Sequence, residues 1–430
     1  MAIVTALNNS LSISNLTARE ILDSRGYPTI ECSLTLNNGI FVVTSCSTAN
    51  PAKSTDFKEL RDDDPNRMKG LGVSKAVELI NTRLAQALTG RNPTVQEEID
   101  EALLALDTSQ TLENIGANTT MVVSQAVLKA AALSYGWPTY YYLYKRYNLT
   151  QLLSIPTCMY GMIDGGRHGT DNLDFQEFQL IPANHLSFQR SLEIAVSHFK
   201  ALGDLLKEKG AIHSVGPCGG YTPNLYKNTD AFDLMSEAAR NVNLVIGRDV
   251  FFGADFDADN FYNLNRYKIK DRPEPLAGKQ WVDYLQDLNK LYALYSFEDP
   301  FGSGDAAGWK GFTNEFDKAA RIVCDSLTRT SAKHVTTAIK EKIGNTLLVK
   351  TGQVPTITAL IQAVQTARAA NWQVVVAARE GETNDDLLAD LSVGIGAEFV
   401  KFGPPNRGER IAKYNRLLQI YHELQQLNQG

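Results

Sequence analysis

Val250–Asp255 (VFFGAD), Leu294–Glu298 (LYSFE), Arg321–Asp325 (RIVCD), Thr346–Lys350 (TLLVK), Gln373–Ala377 (QVVVA) and Glu398–Lys401 (EFVK) decide the fold. Each is a short run rich in β-branched or aromatic residues, most end on a charged side chain, and helical stretches separate them. From Asp325 the terminal positions recur at 350, 377 and 401, a step of 24 to 27 residues that fits one strand and one helix. Six such units in succession predict a parallel (β/α) barrel over residues 141–430. A doubly wound sheet competes less well, because no glycine-rich phosphate loop follows any of these strands.

Residues 1–140 read differently, as a small α+β domain capping the barrel. Thr29–Leu36 alternates as a strand, Asn37-Asn38-Gly39 is a turn, and Ile40–Thr44 is the hairpin partner. Residues 45–58 form a polar loop. Val73–Ala87 and Met121–Ser134 carry helical apolar spacing.

The chain has 430 residues, 43% of them hydrophobic and 21% charged, which suits two globular domains rather than a disordered or fibrous chain. A formal charge of −6 gives no basic stripe for a nucleic acid. No apolar run reaches the roughly 18 residues of a membrane span. Met1–Leu16 lacks the basic and apolar regions of a signal peptide. The five cysteines have no paired spacing and suit a reducing compartment, so a cytoplasmic protein is expected.

Barrel enzymes carry their chemistry at the C-terminal mouth of the strands. Here Asp255, Glu298 and Asp325 end three successive units, and Lys350 and Lys401 end later ones. Three converging carboxylates repel one another unless a cation lies between them, and hard oxygen donors suit Mg²⁺. A lysine across the mouth can remove a proton from the carbon beside a carboxylate. A lone Asp or Glu ending a strand is more often a helix cap or a surface charge, and a lone lysine reads as a solvated side chain or a salt-bridge partner; the series is what points to a metal site.

These residues also resemble the enolase family over nearly the whole chain. ARxILDSRGYPTIE (Ala18–Glu31), ELRD (Glu59–Asp62), DGGRH (Asp164–His168), QEF (Gln176–Phe178), SFEDPF (Ser296–Phe301), CDSLTRT (Cys324–Thr330), LLVKTGQ (Leu347–Gln353) and VKFGPPNRGERIAKYN (Val400–Asn415) follow in the family's order. The resemblance implies an enolase-type α/β barrel with a small N-terminal capping domain, a homodimer or higher homo-oligomer, and Mg²⁺-dependent dehydration of 2-phosphoglycerate. It also implies that Asp255, Glu298 and Asp325 hold the metal, and that Lys350 takes the α-proton. Lys401 then helps hold the substrate carboxylate, His168, Gln176 and Glu177 line the site, and Arg379 binds phosphate.

Three departures change the expectation. The family's GDEGG is Gly216-Pro217-Cys218-Gly219-Gly220, with a thiol where the acid machinery has a glutamate. The family's SHRSGET is Ala377-Ala378-Arg379-Glu380-Gly381-Glu382-Thr383, so serine and histidine become alanine and a phosphate-contacting serine becomes Glu380. The loop that supplies a second metal ligand is longer, and either Ser47 or Thr48 matches the ligating serine. A neutral thiol is a poorer proton donor than a carboxylic acid tuned near neutrality, and Cys218 also reads as a small buried hydrophobe. Glu380 turns outward to solvent or, facing inward, repels phosphate. The expected function is a diverged Mg²⁺-dependent lyase or isomerase acting α to the carboxylate of a small acid. The alternatives are a catalytically silent binding or scaffold protein, and a working phosphopyruvate hydratase whose acid is Cys218, His213 or a water.

Overall fold

The computed structural model describes residues 11–47 and 56–427. The sequence expectations for Met1–Ser10 and for residues 48–55, including Thr48, lie outside the described residues. The N-terminal unit opens with an antiparallel meander of β1 (Ile13–Leu22), β2 (Pro28–Leu36) and β3 (Phe41–Ser45). The β2–β3 hairpin is the predicted one, and Gly39 supplies the positive φ of 87° that its turn requires. One face of this sheet packs its alternate residues, Ile30, Cys32 and Leu34, on the helix α1 (Ala117–Ser134). The second predicted helix runs from Ser74 to Leu88 with a π turn at Ile80–Leu84.

The barrel strands are β4 (Thr157–Cys158 continuing through Tyr160–Asp164), β5 (Glu177–Pro182), β6 (Val250–Asp255), β7 (Leu294–Glu298), β8 (Arg321–Cys324), β9 (Thr346–Val349), β10 (Gln373–Ala377) and β11 (Phe399–Lys401). Hydrogen bonding runs in that order, and β11 pairs with the start of β4 to close the ring. From β6 to β11 every pairing is parallel, as the strand spacing predicts. The expectation of a fully parallel barrel fails at its first turn, because β5 is antiparallel to both β4 and β6. A loop of about a dozen residues joins β4 to β5 with no crossover helix, so the chain can only return alongside itself.

Met159, Ile181, Val323, Leu348, Val375, Ala377 and Phe399 fill the inside of the barrel, and the helices cover its outside. The two units are tied by buried polar contacts. Asp385 of the barrel accepts hydrogen bonds from Thr44 Oγ1 at 2.7 Å, Ser45 N at 3.1 Å and Lys129 Nζ at 2.8 Å. Asp100 of the cap accepts from Thr358 Oγ1 at 2.6 Å and from Thr358 N at 3.0 Å, at the start of the helix Ile357–Ala369. Among the described residues no helix is long and apolar enough to cross a membrane.

Candidate active site

Side chains of a strand point alternately inward and outward, so the inward series can be followed to the mouth. Val323, Leu348 and Phe399 face inward; two residues on, so do Asp325, Lys350 and Lys401. Ile181 faces inward near the far end of β5, and two steps of two back along the strand reach Glu177. Glu298 reaches the same face through a bulge between Leu294 and Ser296 that shifts the alternation by one residue. A second bulge, between Gly161 and Ile163, does the same for Asp164. The register then sets Asp164 beside Glu177, Glu177 beside Asp255, and Asp255 beside Glu298. A continuous acidic arc results, all of it buried.

Two lysines answer that arc. Lys401 Nζ lies 2.6 Å from Glu298 Oε2 and 3.1 Å from both Asp255 Oδ2 and Glu177 Oε2. Burial by itself would favour the neutral amine, but Asp255, Glu298 and Glu177 outweigh it and hold Lys401 as an ammonium. Lys350 Nζ donates to Asp325 Oδ2 at 2.6 Å, and Gln353 Nε2 donates to the other oxygen at 2.8 Å. Gln176 Nε2 donates to Asp255 Oδ2 at 3.0 Å. The sequence-predicted residues therefore do come together at one mouth.

The donor set suits a hard dication by its chemistry. Oε1 of Glu298 and Oε1 of Gln176 are buried without a hydrogen-bond partner, a costly state that a cation would relieve. Among the described residues, however, no three carboxylate, thiol or imidazole groups already form a ligating cluster. In this arrangement ammonium groups balance the carboxylates that the sequence reading gave to Mg²⁺. Ser47, the other half of the loop alternative, is buried and its hydroxyl has no partner.

On the β10 side, Arg379 is half-buried, and its Nη1 is buried with no hydrogen-bond partner. Desolvation lowers its affinity for the proton, although no physiological pH removes a guanidinium charge. A Cβ on Gly352 would stand 2.6 Å from that nitrogen, so only glycine leaves the space beside it. Glu380 lines the same cavity rather than turning to solvent, and Arg25 Nη1 lies 3.4 Å from its Oε2. Arg25 is in turn held by Asp23 at 2.9 Å. The repulsion expected from Glu380 is thus partly offset by a residue that sequence reasoning did not assign.

Cys218 Sγ lies 3.4 Å from His168 Nδ1, which supplies the partner missing from the sequence reading and sets aside the purely hydrophobic one. The thiol sits in a turn folded around Asp164, which accepts from Gly220 N at 3.1 Å. A Cβ at Gly216 or Gly220 would come within 2.6 Å of an Asp164 carboxylate oxygen, so both positions need glycine. Burial, then the neighbouring Glu177, pushes Asp164 well above the usual carboxylate range. Burial, then Asp164, likewise pushes the Cys218 thiol up.

His168, Gln176, Glu177, Cys218, Asp255, Asp325, Lys350, Arg379, Glu380 and Lys401 all line one cavity of about 420 Å³, with Ala378 at its wall. Glu298 lies beneath, in contact through Lys401. Sequence reasoning missed Asp164, Asp299 and Arg25. Asp299 accepts from Asp325 N at 3.0 Å and Ser326 N at 2.9 Å, and so orients the Asp325 turn. It directly follows Glu298, a signal that was legible; Arg25 approaches from a distant segment and gave none.

Comparison with known proteins agrees with this geometry. Residues 152–429 match the family model described as "Enolase, C-terminal TIM barrel domain", and residues 13–143 match "Enolase, N-terminal domain". Proteins named "Enolase" from the Welgevonden and Gardel strains of Ehrlichia ruminantium are each 36% identical over 411 residues, 96% of either chain.

Proposed function

The chain belongs to the enolase family, and from that premise we propose that it is a Mg²⁺-dependent lyase or isomerase that removes a proton α to the carboxylate of a small acid. Efficient dehydration of 2-phosphoglycerate is not its main activity. The observation that carries this reading is the unequal state of the two halves of the site. Lys350 and Lys401 stand at the mouth facing the acidic arc, whereas the position of the family's acid holds a neutral thiol.

Asp255, Glu298 and Asp325 are the residues that would hold the metal. What such an ion supplies when bound is positive charge beside the substrate carboxylate as carbanion charge moves onto it. Lys350 takes the α-proton, and it must itself be deprotonated to do so. Lys401 binds the carboxylate, to which a metal held by those three residues would lend further positive charge, and Arg379 binds an anionic group at the β10 side. Location in the cytoplasm and assembly as a homodimer or larger homo-oligomer belong to the same proposal.

The test is NMR in deuterated water with Mg²⁺ and a panel of 2-hydroxy and 3-hydroxy acids, 2-phosphoglycerate among them. Exchange of the α-proton, lost in Lys350→Ala, is expected; no exchange with any acid favours a silent binding protein. The unpartnered, buried nitrogen of Arg379 favours a second reading, a working phosphopyruvate hydratase. Phosphoenolpyruvate formation at ordinary enolase rates would establish it.

A further inference from the structure

The ring of strands separates His168 from Lys350. Lys350 follows β9 and His168 follows β4, three strands further round the closed barrel, while Glu177 of β5 lies a full half-turn away. A group entering the cavity between them meets an amine on one side and an imidazole on the other. That is the arrangement an elimination needs when the proton and the leaving group depart from opposite faces.

Cys218 decides what the imidazole can do. A glutamate at that position would form an ion pair with a protonated ring and make it a weaker acid. The thiol is kept neutral by burial and by Asp164, so toward an imidazolium, whose Nδ1–H must donate, it is only a weak acceptor at 3.4 Å. Such a bond fixes the ring without stabilising its charge. The other charged groups around the thiol are Glu177, Glu380 and Arg410.

We propose that His168 is the catalytic proton donor to the departing β-hydroxyl of a 3-hydroxy acid, and that Cys218 is its positioning residue. The inference rests on the deprotonation reading above. Lys350 takes the proton from carbon 2, and that electron pair becomes the carbon 2–carbon 3 double bond as the carbon 3–oxygen bond breaks. The leaving oxygen takes the Nε2 proton of the His168 imidazolium and departs as water. His168 is left neutral with its remaining proton on Nδ1, facing sulfur. Lys350 then loses its extra proton to solvent and His168 regains one.

The experiment uses the full chain with Mg²⁺ and the same panel of acids, 2-phosphoglycerate included, in deuterated water, following exchange at carbon 2 and alkene formation together. His168→Gln should lower elimination by about a hundredfold and raise the ratio of exchange to elimination. Cys218→Ala should lower it about tenfold, with Cys218→Ser recovering most of the loss. Nitrogen-15 NMR of histidine should find neutral His168 protonated on Nδ1 in the wild type, moving towards Nε2 in Cys218→Ala. Exchange without elimination in the wild type overturns the inference and leaves the deprotonation reading standing. So does elimination that survives His168→Gln, or that depends on Cys218 and not on His168. A wild type inert to exchange overturns both.

Discussion

Lys401 Nζ and Glu298 Oε2 are 2.6 Å apart, and the same ammonium touches Asp255 and Glu177, so one side chain bridges three carboxylates at the barrel mouth. Lys401 therefore competes with any cation for the same oxygens. Lys401→Met should bind Mg²⁺ at least about tenfold more tightly by calorimetry, since two buried charges at this range interact by several kcal/mol. Without Mg²⁺ the variant should be about 3–5 kcal/mol less stable, because the carboxylates are left unpaired. Weaker Mg²⁺ binding would mean that the lysine helps assemble the site instead of occupying it.

Glu380 and Arg379 present opposite charges to the same cavity, and Arg25 only partly cancels the carboxylate. A carboxylate about 5 Å from a phosphate costs roughly 3 kcal/mol per charge pair at an effective dielectric near 20. With Arg25 offsetting part of that, Glu380→Gln should tighten inorganic phosphate binding by about tenfold. An unchanged affinity would show that phosphate does not approach this side of the mouth.

His198 is fully buried in the helix Phe188–Glu208 and donates from Nε2 to the carbonyl of Met235 at 2.9 Å. Its Nδ1 has no partner, and desolvation lowers its pKa from 6.5 to about 4. The unfolded chain therefore binds the proton first as pH falls. Stability from this group is complete above pH 6.5 and is lost between 6.5 and about 4, by about 3 kcal/mol. His198→Gln should flatten that part of the curve of melting temperature against pH; an identical acid slope would refute the assignment.

Asp385 ties the cap to the barrel through Lys129, Thr44 and the backbone of Ser45. Desolvation opposes its ionisation, but Lys129 and the hydrogen bonds prevail and hold it below the usual carboxylate range. Asp385→Asn leaves the Lys129 ammonium, which is only 17% exposed, without its counter-charge. A loss of about 2–4 kcal/mol in denaturant unfolding is expected, with hydrogen exchange rising first in β3. Exchange that rises evenly across both domains would argue against a local clamp.

The repeat of β-rich runs was enough to find β6 to β11, because a parallel barrel built from βα units writes its period into the chain. The same rule identified Asp255, Glu298, Asp325, Lys350 and Lys401, since all five end strands. It could not find Glu177, which begins a strand, or Asp164, whose inward aim depends on a bulge. Those two required either a family likeness or coordinates. The partner of Cys218 was illegible for another reason. Fifty residues separate it from His168, and only the turn around Asp164 brings sulfur and ring together. Glu380 was legible as a charge and illegible as a charge already answered, because Arg25 comes from the other domain.

Running β5 against its neighbours has an outcome for how this molecule can change over time. The other staves deliver chemistry through their exits, so lengthening the loops beyond them leaves the reacting groups where they were. β5 delivers Glu177 through its entrance, directly after the excursion from Asp164, so a single residue gained or lost there would turn Glu177 outward and present Gln176 or Phe178 in its stead. Of all the approaches to the mouth, this one has no slack.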